Sequence, residues 1–397
     1  MADNGQIFLL TEKGLEDLTP YVYKFIYKNS LITGRVHWRL YFDTNQWAFW
    51  KDFMIGNGLQ FQVQISAIKN GVTQKTEWLS LVIDQSEGDL RSTRLKGNIT
   101  GGGIELNMMN EGRRKGFVKT TASQIMQQIS KTYLLTPDIQ TTSTVDSWWQ
   151  ANKTDWAFIW ELMSSYIPSE NNRGDAYLNI DGKNLIIKPI NFAAPSVRKY
   201  DLTDSDDRVL SVKFRYYGGQ VSRAGVIVEA RSFDRSTGLP ITYTSSPMTA
   251  GTAALADKLP QSLAQKKIVI VCGSGNLDVV RSVAIRAQAR NSSRYYGIAI
   301  KALNDITIKL RDMMEISAKD ISGSGSFVEG RYAVYEYQLS YTLQKISTTM
   351  IGYRQESYVG PQQATGAPAS QSMGTDLYKT GQGGLQPVTK QAVPLGS

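Results

Sequence analysis

His37, Cys272 and a few crowded aspartates are the residues whose types could carry chemistry in this 397-residue chain. One histidine and one cysteine allow no Ser-His-Asp or Cys-His nucleophilic centre and no His/Cys metal cluster. His37 lies in the strand-like run "GRVHWRLYF" and is expected to be a sheet residue. A carboxylate pair is the remaining route to hydrolysis, because two acids held across a cleft suffice for a glycosidase. Asp201, Asp204, Asp206 and Asp207 crowd one polar linker, which reads first as a solvated turn.

A second lure is "KKIVIVCGSGNLDVV", an apolar run leading into Gly273-Ser274-Gly275 and then a helix. The outline suits a dinucleotide-binding unit. However, Asp278 stands where a third glycine belongs, and its carboxylate would oppose a pyrophosphate. Glycines that ease a strand-to-helix turn are the simpler reading. No GxxxxGK[ST] phosphate loop occurs. The sequence therefore predicts no catalytic, cofactor-binding or metal residues.

The net charge of +9 admits an acidic partner, yet the basic residues are scattered. Their densest group, "EGRRKG" with Arg113, Arg114 and Lys115, reads as a solvated loop. Nucleic-acid contact is the sharper possibility, but phosphate binding normally needs a contiguous basic footprint. No run of eighteen apolar residues is present, so no membrane-spanning helix is expected. The start, "MADNGQIFLL", lacks the features of a secretory signal, and the lone Cys272 permits no intrachain disulfide. Both point to folding in a reducing cytoplasm.

The elements that must position these residues change character along the chain. In "LQFQVQISAI", Leu59, Phe61, Val63 and Ile65 alternate with Gln60, Gln62, Gln64 and Ser66, the period of a half-buried strand. "KNGV" then turns the chain and "TEWLSLVID" returns, an antiparallel hairpin. "GNITGGGIEL" reads as a glycine-rich connection. From about residue 119 the period becomes helical: Ile125, Ile129 and Tyr133 fall on one face, with Ala122 and Met126 beside them. Thr121 and Gln124 fit a capping box. After Pro137 and a Thr-rich loop comes "TDWAFIWELMSSYIP", with Asp155 in its first turn and Pro168 at its end. Trp156, Ile159, Trp160 and Met163 share one face of this helix, and Phe158 and Leu162 lie beside it. "AYLNIDGKNLIIKP" follows as a hairpin about Asp181-Gly182.

Strands resume near residue 207. Leu210, Val212, Phe214 and Tyr216 alternate with polar partners, and "GVIVEARSFD" follows. A helix is expected over roughly 276–290, with Leu277, Val280 and Ala284 as its stripe. The longest alternation, "YAVYEYQLSYTLQ", sets Ala333, Tyr335, Tyr337, Leu339, Tyr341 and Leu343 against Glu336, Gln338, Ser340 and Thr342. After Tyr358 the chain is rich in Gly, Pro, Gln, Ser, Thr and Ala, which predicts a flexible tail or a strap that orders on a partner. The expected fold class is α+β, mostly β. It comprises a first barrel-like antiparallel domain (1–118), a small α+β insert (119–200), a second barrel-like domain (201–358) and the tail (359–397).

In this order, "TASQIMQQISKTYLL", "WWQANKTDWAFIWELMSSYI" and "DAYLNIDGKNLIIKP" resemble the baseplate hub family of contractile phage tails, which includes the late control protein D and the amino-terminal part of the VgrG spike. The family's S/T-D-W-x-F-[IL]-x-x-L helix corresponds to Thr154, Asp155, Trp156, Phe158, Ile159 and Leu162. "RAQARNSSRYYGIAIKAL", "ITIKLRDMMEIS" and "YEYQLSYTLQKISTTM" resemble elements of its second barrel. Asn304-Asp305 replaces the usual Pro-Gly, and the long tail has no counterpart. The resemblance implies a homotrimer whose paired barrels imitate a sixfold ring. It would dock on a tail tube or tube-initiator protein, hold a central spike, touch neighbouring baseplate proteins and meet DNA only in transit. It implies a virion location after assembly in the host cytoplasm, and no membrane insertion. Trp156, Phe158, Ile159, Trp160 and Met163 are then core of the insert or, alternatively, a docking helix for a baseplate neighbour. A tail-associated, carboxylate-dependent peptidoglycan or polysaccharide hydrolase, with its acids in residues 200–240, is the competing function.

Overall fold

The computed structural model describes residues 5–11, 14–45, 60–69, 71–91, 93–164, 176–202, 209–216, 227–234, 237–245, 267–272, 276–292, 296–317, 329–343, 345–354 and 385–386. The first strands are β1 (Gln6–Thr11), β2 (Gly14–Asp17), β3 (Val22–Ser30), β4 (Arg35–Thr44), β5 (Gln60–Lys69), β6 (Val72–Lys75), β7 (Leu79–Arg91) and β8 (Arg94–Gly102). A helical turn, α1 (Glu105–Met108), leads to β9 (Gly112–Thr121), α2 (Ala122–Thr132), β10 (Thr136–Ile139), β11 (Val145–Thr154) and α3 (Asp155–Ser164). Then come β12 (Ala176–Asp181), β13 (Asn184–Pro189), β14 (Ser196–Asp201), β15 (Val209–Tyr216), β16 (Ile227–Phe233), β17 (Pro240–Ser245) and β18 (Lys267–Val271). The last are α4 (Leu277–Ser292), β19 (Tyr296–Leu303), β20 (Met313–Ser317), β21 (Gly330–Thr342), β22 (Lys345–Arg354) and β23 (Leu385–Gln386).

The chain is mostly β, and strands from both strand-rich regions join one fourteen-stranded sheet. The order is β15-β19-β22-β21-β3-β4-β8-β7-β5-β1-β2, with β14 and β20 attached at β21 and β6 at β5. The seam between the regions is an antiparallel ladder of β3 on β21, from Ser30↔Glu336 to Lys24↔Thr342. One core underlies both: Phe25, Leu40 and Ile65 belong to the same buried cluster as Ile300, Tyr341 and Met350. The alternation of β21 directs Ala333, Tyr335, Tyr337, Leu339 and Tyr341 into it.

A second core gathers α1–α3, the β10-β13-β12 sheet, β16–β18 and α4. "GVIVEARSFD" thus enters β16 of a separate small sheet, not the large one. β18 runs parallel to β16, and α4 packs over β16 and β17, which accounts for the dinucleotide-like outline. The chain then leaves that sheet: β19 pairs antiparallel with β15 and β22. Among the described residues no parallel βαβ repeat forms there, and Gly273–Gly275 fall outside them.

Several local expectations are corrected. "GNITGGGIEL" is not a connection, since residues 94–102 form β8. A Cβ on Gly101 would stand 1.9 Å from the Val82 carbonyl oxygen and 2.8 Å from Trp38 Nε1. The glycine therefore makes room for the Trp38 ring, whose Nε1 donates to the carbonyls of Val82 and Gly102. "EGRRKG" is not a loop but the start of β9, and the Thr-rich segment after Pro137 contains β10 and β11. Leu210 lies at a bulge in the β15–β19 ladder and is half exposed. Leu277 is exposed at the first position of α4, where Val279, Val280, Val283 and Ala284 form the buried stripe instead. Leu343 leaves the alternation at the β21–β22 turn, with φ 46°, and is exposed. The tail expected over 359–397 falls outside the described residues except Leu385–Gln386, which pairs with β17.

Candidate interaction surfaces

The helix predicted from "TDWAFIWELM" is α3. Thr154 caps it by accepting from Ala157 N at 3.2 Å. Trp156, Phe158, Ile159, Leu162 and Met163 are buried in the second core, and Trp160 packs against it part-exposed. Phe158 stacks on Phe117 of β9, with centroids 5.8 Å apart. Both indole rings also reach the large sheet. Gly34, in the β3–β4 turn at φ +65°, would place a Cβ 2.9 Å from Trp160 Cζ2 and 3.3 Å from Trp156 Cζ2.

Asp155, almost fully buried, gathers the end of the two-stranded β9–β11 ribbon beside α3. It accepts from the Tyr133 hydroxyl at 2.7 Å and from Gln150 Nε2 at 2.8 Å, and Arg113 approaches it at 3.3 Å. Burial, followed by the hydrogen bond to Asp155, pushes the Tyr133 hydroxyl up to about 12.

Two ionic latches hold distant segments, and the sequence marked neither as a site. Asp305 is fully buried on the link after β19. It accepts from Arg198 of β14, from the Tyr200 hydroxyl at 2.6 Å, and from Lys69 of β5 at 3.5 Å. Asn304 beside it donates to the Ile68 carbonyl at 3.0 Å. The only signal in the chain was the departure Asn304-Asp305, because the partners lie up to 236 positions away. The second latch is Arg311, at φ 74°. Its guanidinium donates to the carbonyls of Tyr177 and Lys188 and to Asn179 Oδ1, tying the β12–β13 hairpin to the large sheet. Burial lowers its pKa to about 10, so it stays charged at neutral pH.

Across the large sheet runs a polar face opposite the first core. Register aligns Ser211, Lys301, Thr349, Gln338, Lys28 and His37 in one row over six strands. None of the six is buried. Lys28 meets Glu336 at 3.3 Å. Two rows further, Lys24 lies over the Tyr41 ring at 5.3 Å, Arg39 of the row between donates to the Tyr41 hydroxyl at 3.2 Å, and Lys96 lies over Tyr23 at 5.7 Å. A cavity of about 670 Å³ opens beside this cluster, lined by Tyr23, Asp43, Arg94, Lys96, Tyr341 and Leu343. His37 is a sheet residue whose pKa is lowered by burial and then by Arg35 and Lys28, so it is neutral at pH 7.

Of the suspected acids, Asp201 ends β14, and Asp204, Asp206 and Asp207 fall outside the described residues. Among the described residues no group of three or more His, Cys, Asp or Glu is placed to hold a metal ion, and no helix is long and apolar enough to cross a membrane.

No family model and no curated protein matches the sequence. Solved structures do match. A tail protein from Neisseria meningitidis MC58 superposes with a TM-score of 0.63 at 8% identity, over 90% of this chain and 98% of that one. The chain shares the fold of that tail protein. The 43 kDa tail protein of prophage MuSo2 from Shewanella oneidensis gives 0.59 at 11% identity, over 89% and 99%. The E. coli c3393 protein gives 0.51 at 10% identity, over 85% and 75%. That protein is described as a type VI secretion component similar to the T4 bacteriophage tail proteins gp27 and gp5.

Proposed function

We propose that the chain is a structural, non-enzymatic hub of a phage-type tail. Three copies, each folding its halves into two barrel-like modules, would close a ring of pseudo-sixfold symmetry. One side of the ring meets the hexameric tail tube and the other the trimeric central spike, and the polar sheet face turns to the axis and lines the path of DNA. The location is the tail of the virion, after assembly in the host cytoplasm. The observation that carries this reading is the unbroken polar row from Ser211 to His37, which crosses the β3–β21 seam. A face that is polar over six strands and backed by a single core suits the wall of a wet channel. The like-folded tail proteins support the setting.

Native mass spectrometry of the purified chain, with and without the spike protein, tests the assembly. A trimer in either sample is expected, and monomers in both would contradict it. The segment from Gly360 straps onto the spike in this scheme, so removal of residues 361–397 should weaken spike binding. Unchanged affinity would discard the strap.

A further inference from the structure

Among the described residues, the tryptophan left most in water is not on α3. Trp149 of β11 is 60% exposed, although Trp148 beside it is buried with Phe117 against the second core. Strand alternation directs the two rings to opposite faces of the β9–β11 ribbon. In the ladder Trp149 pairs with Gly116, and a Cβ there would meet its ring at 3.1 Å, so the glycine lets the ring lie across β9. Val118 and Val145, also exposed, extend the apolar strip.

The charges of the ribbon divide in two. Arg113 and Lys153 are neutralised by Asp155 and Glu161. Arg114, in register with Ala151 and so on the Trp149 face, has no ion pair among the described residues, nor has Lys119, held at φ 50°. An exposed Trp beside apolar neighbours and unneutralised cations has the composition of a protein-docking hot spot. A phosphate backbone would instead favour a contiguous row of cations, which Val118 and Trp149 interrupt.

We propose that the outer face of the β9–β11 ribbon docks a neighbouring tail protein that presents carboxylates around an apolar pocket for Trp149. The inference rests on the tail reading. To test it, Trp149 is replaced by photo-reactive benzoylphenylalanine, and tails purified from the host that encodes the chain are irradiated. The expected product is a cross-link to a different tail protein, within an Asp/Glu-rich peptide. Arg114→Glu should lower its yield about tenfold while thermal melting of the chain stays unchanged. A cross-link to DNA, to a second copy of this chain, or to nothing in tails that contain the chain would overturn the proposal alone. Tails that lack the chain would overturn the tail reading as well.

Discussion

Arg198 Nε lies 3.0 Å from one carboxylate oxygen of Asp305 and 3.1 Å from the other, and the carboxylate is wholly buried. With Tyr200 and Lys69 it joins β14, the link after β19 and the end of β5. Breaking a buried pair by removing one partner strands a charge, at about 3–5 kcal/mol. Asp305→Ala should therefore lower the denaturant midpoint of the whole chain. A midpoint equal to wild type would show that the latch is ornamental.

Arg311→Lys should destabilise the β12–β13 hairpin, because an ammonium cannot serve three divergent acceptors as a guanidinium fork does. The expected loss is about 1.5–3 kcal/mol for each charged hydrogen bond forfeited. Faster amide hydrogen exchange confined to residues 176–189 would report it, and unchanged exchange there would refute it.

α3 offers a third test. Trp156→Ala should cost about 3–5 kcal/mol as a large-to-small change in a packed core. Gly34→Val should also destabilise the chain, since any Cβ at that left-handed position meets Trp160 and the Leu178 carbonyl. Thermal melting checks both. A Trp156→Ala chain that melts like wild type but fails to assemble would move α3 from core to docking helix.

Glu105 predicts a pH effect. Its Oε1 accepts from the Val36 and Gly103 amides, and its Oε2 has no hydrogen-bond partner among the described residues. Burial raises its pKa, outweighing those hydrogen bonds. A carboxyl whose folded pKa is raised favours folding most below its unfolded pKa, near 4.5, and loses that benefit as pH climbs through the folded value. Glu105→Gln keeps an acceptor and removes the charge. Stability of wild type relative to this variant should fall as pH rises from about 4 toward neutrality. A pH-independent difference would exclude the mechanism.

Much of the architecture was legible where local chemistry decides it. Gly71, at φ 76°, lies in the turn between β5 and β6, Thr121 and Gln124 form the capping box, and Asp181-Gly182 turns β12 into β13. Other features depend on partners far away in the chain. Gly97 and Gly101 read as a loop because their reason is the bulk of Phe42 and Trp38 on the next strand. The period of two in β16 is the same in either sheet, so its departure from the large sheet left no mark. Asp305 showed only as half of the Asn304-Asp305 departure, since nothing near it in the chain reveals Arg198 or Lys69. Trp149 was hidden beside Trp148, because only the β9 register tells which ring faces water.

In the proposed ring the polar face spanning β15 to β4 lines an axial channel. Electron cryomicroscopy of the assembled particle tests it most directly. Three copies in a ring are expected, with Lys28, Lys301 and Gln338 facing the axis. A ring in which these side chains point outward, or a particle holding a single copy, would contradict it.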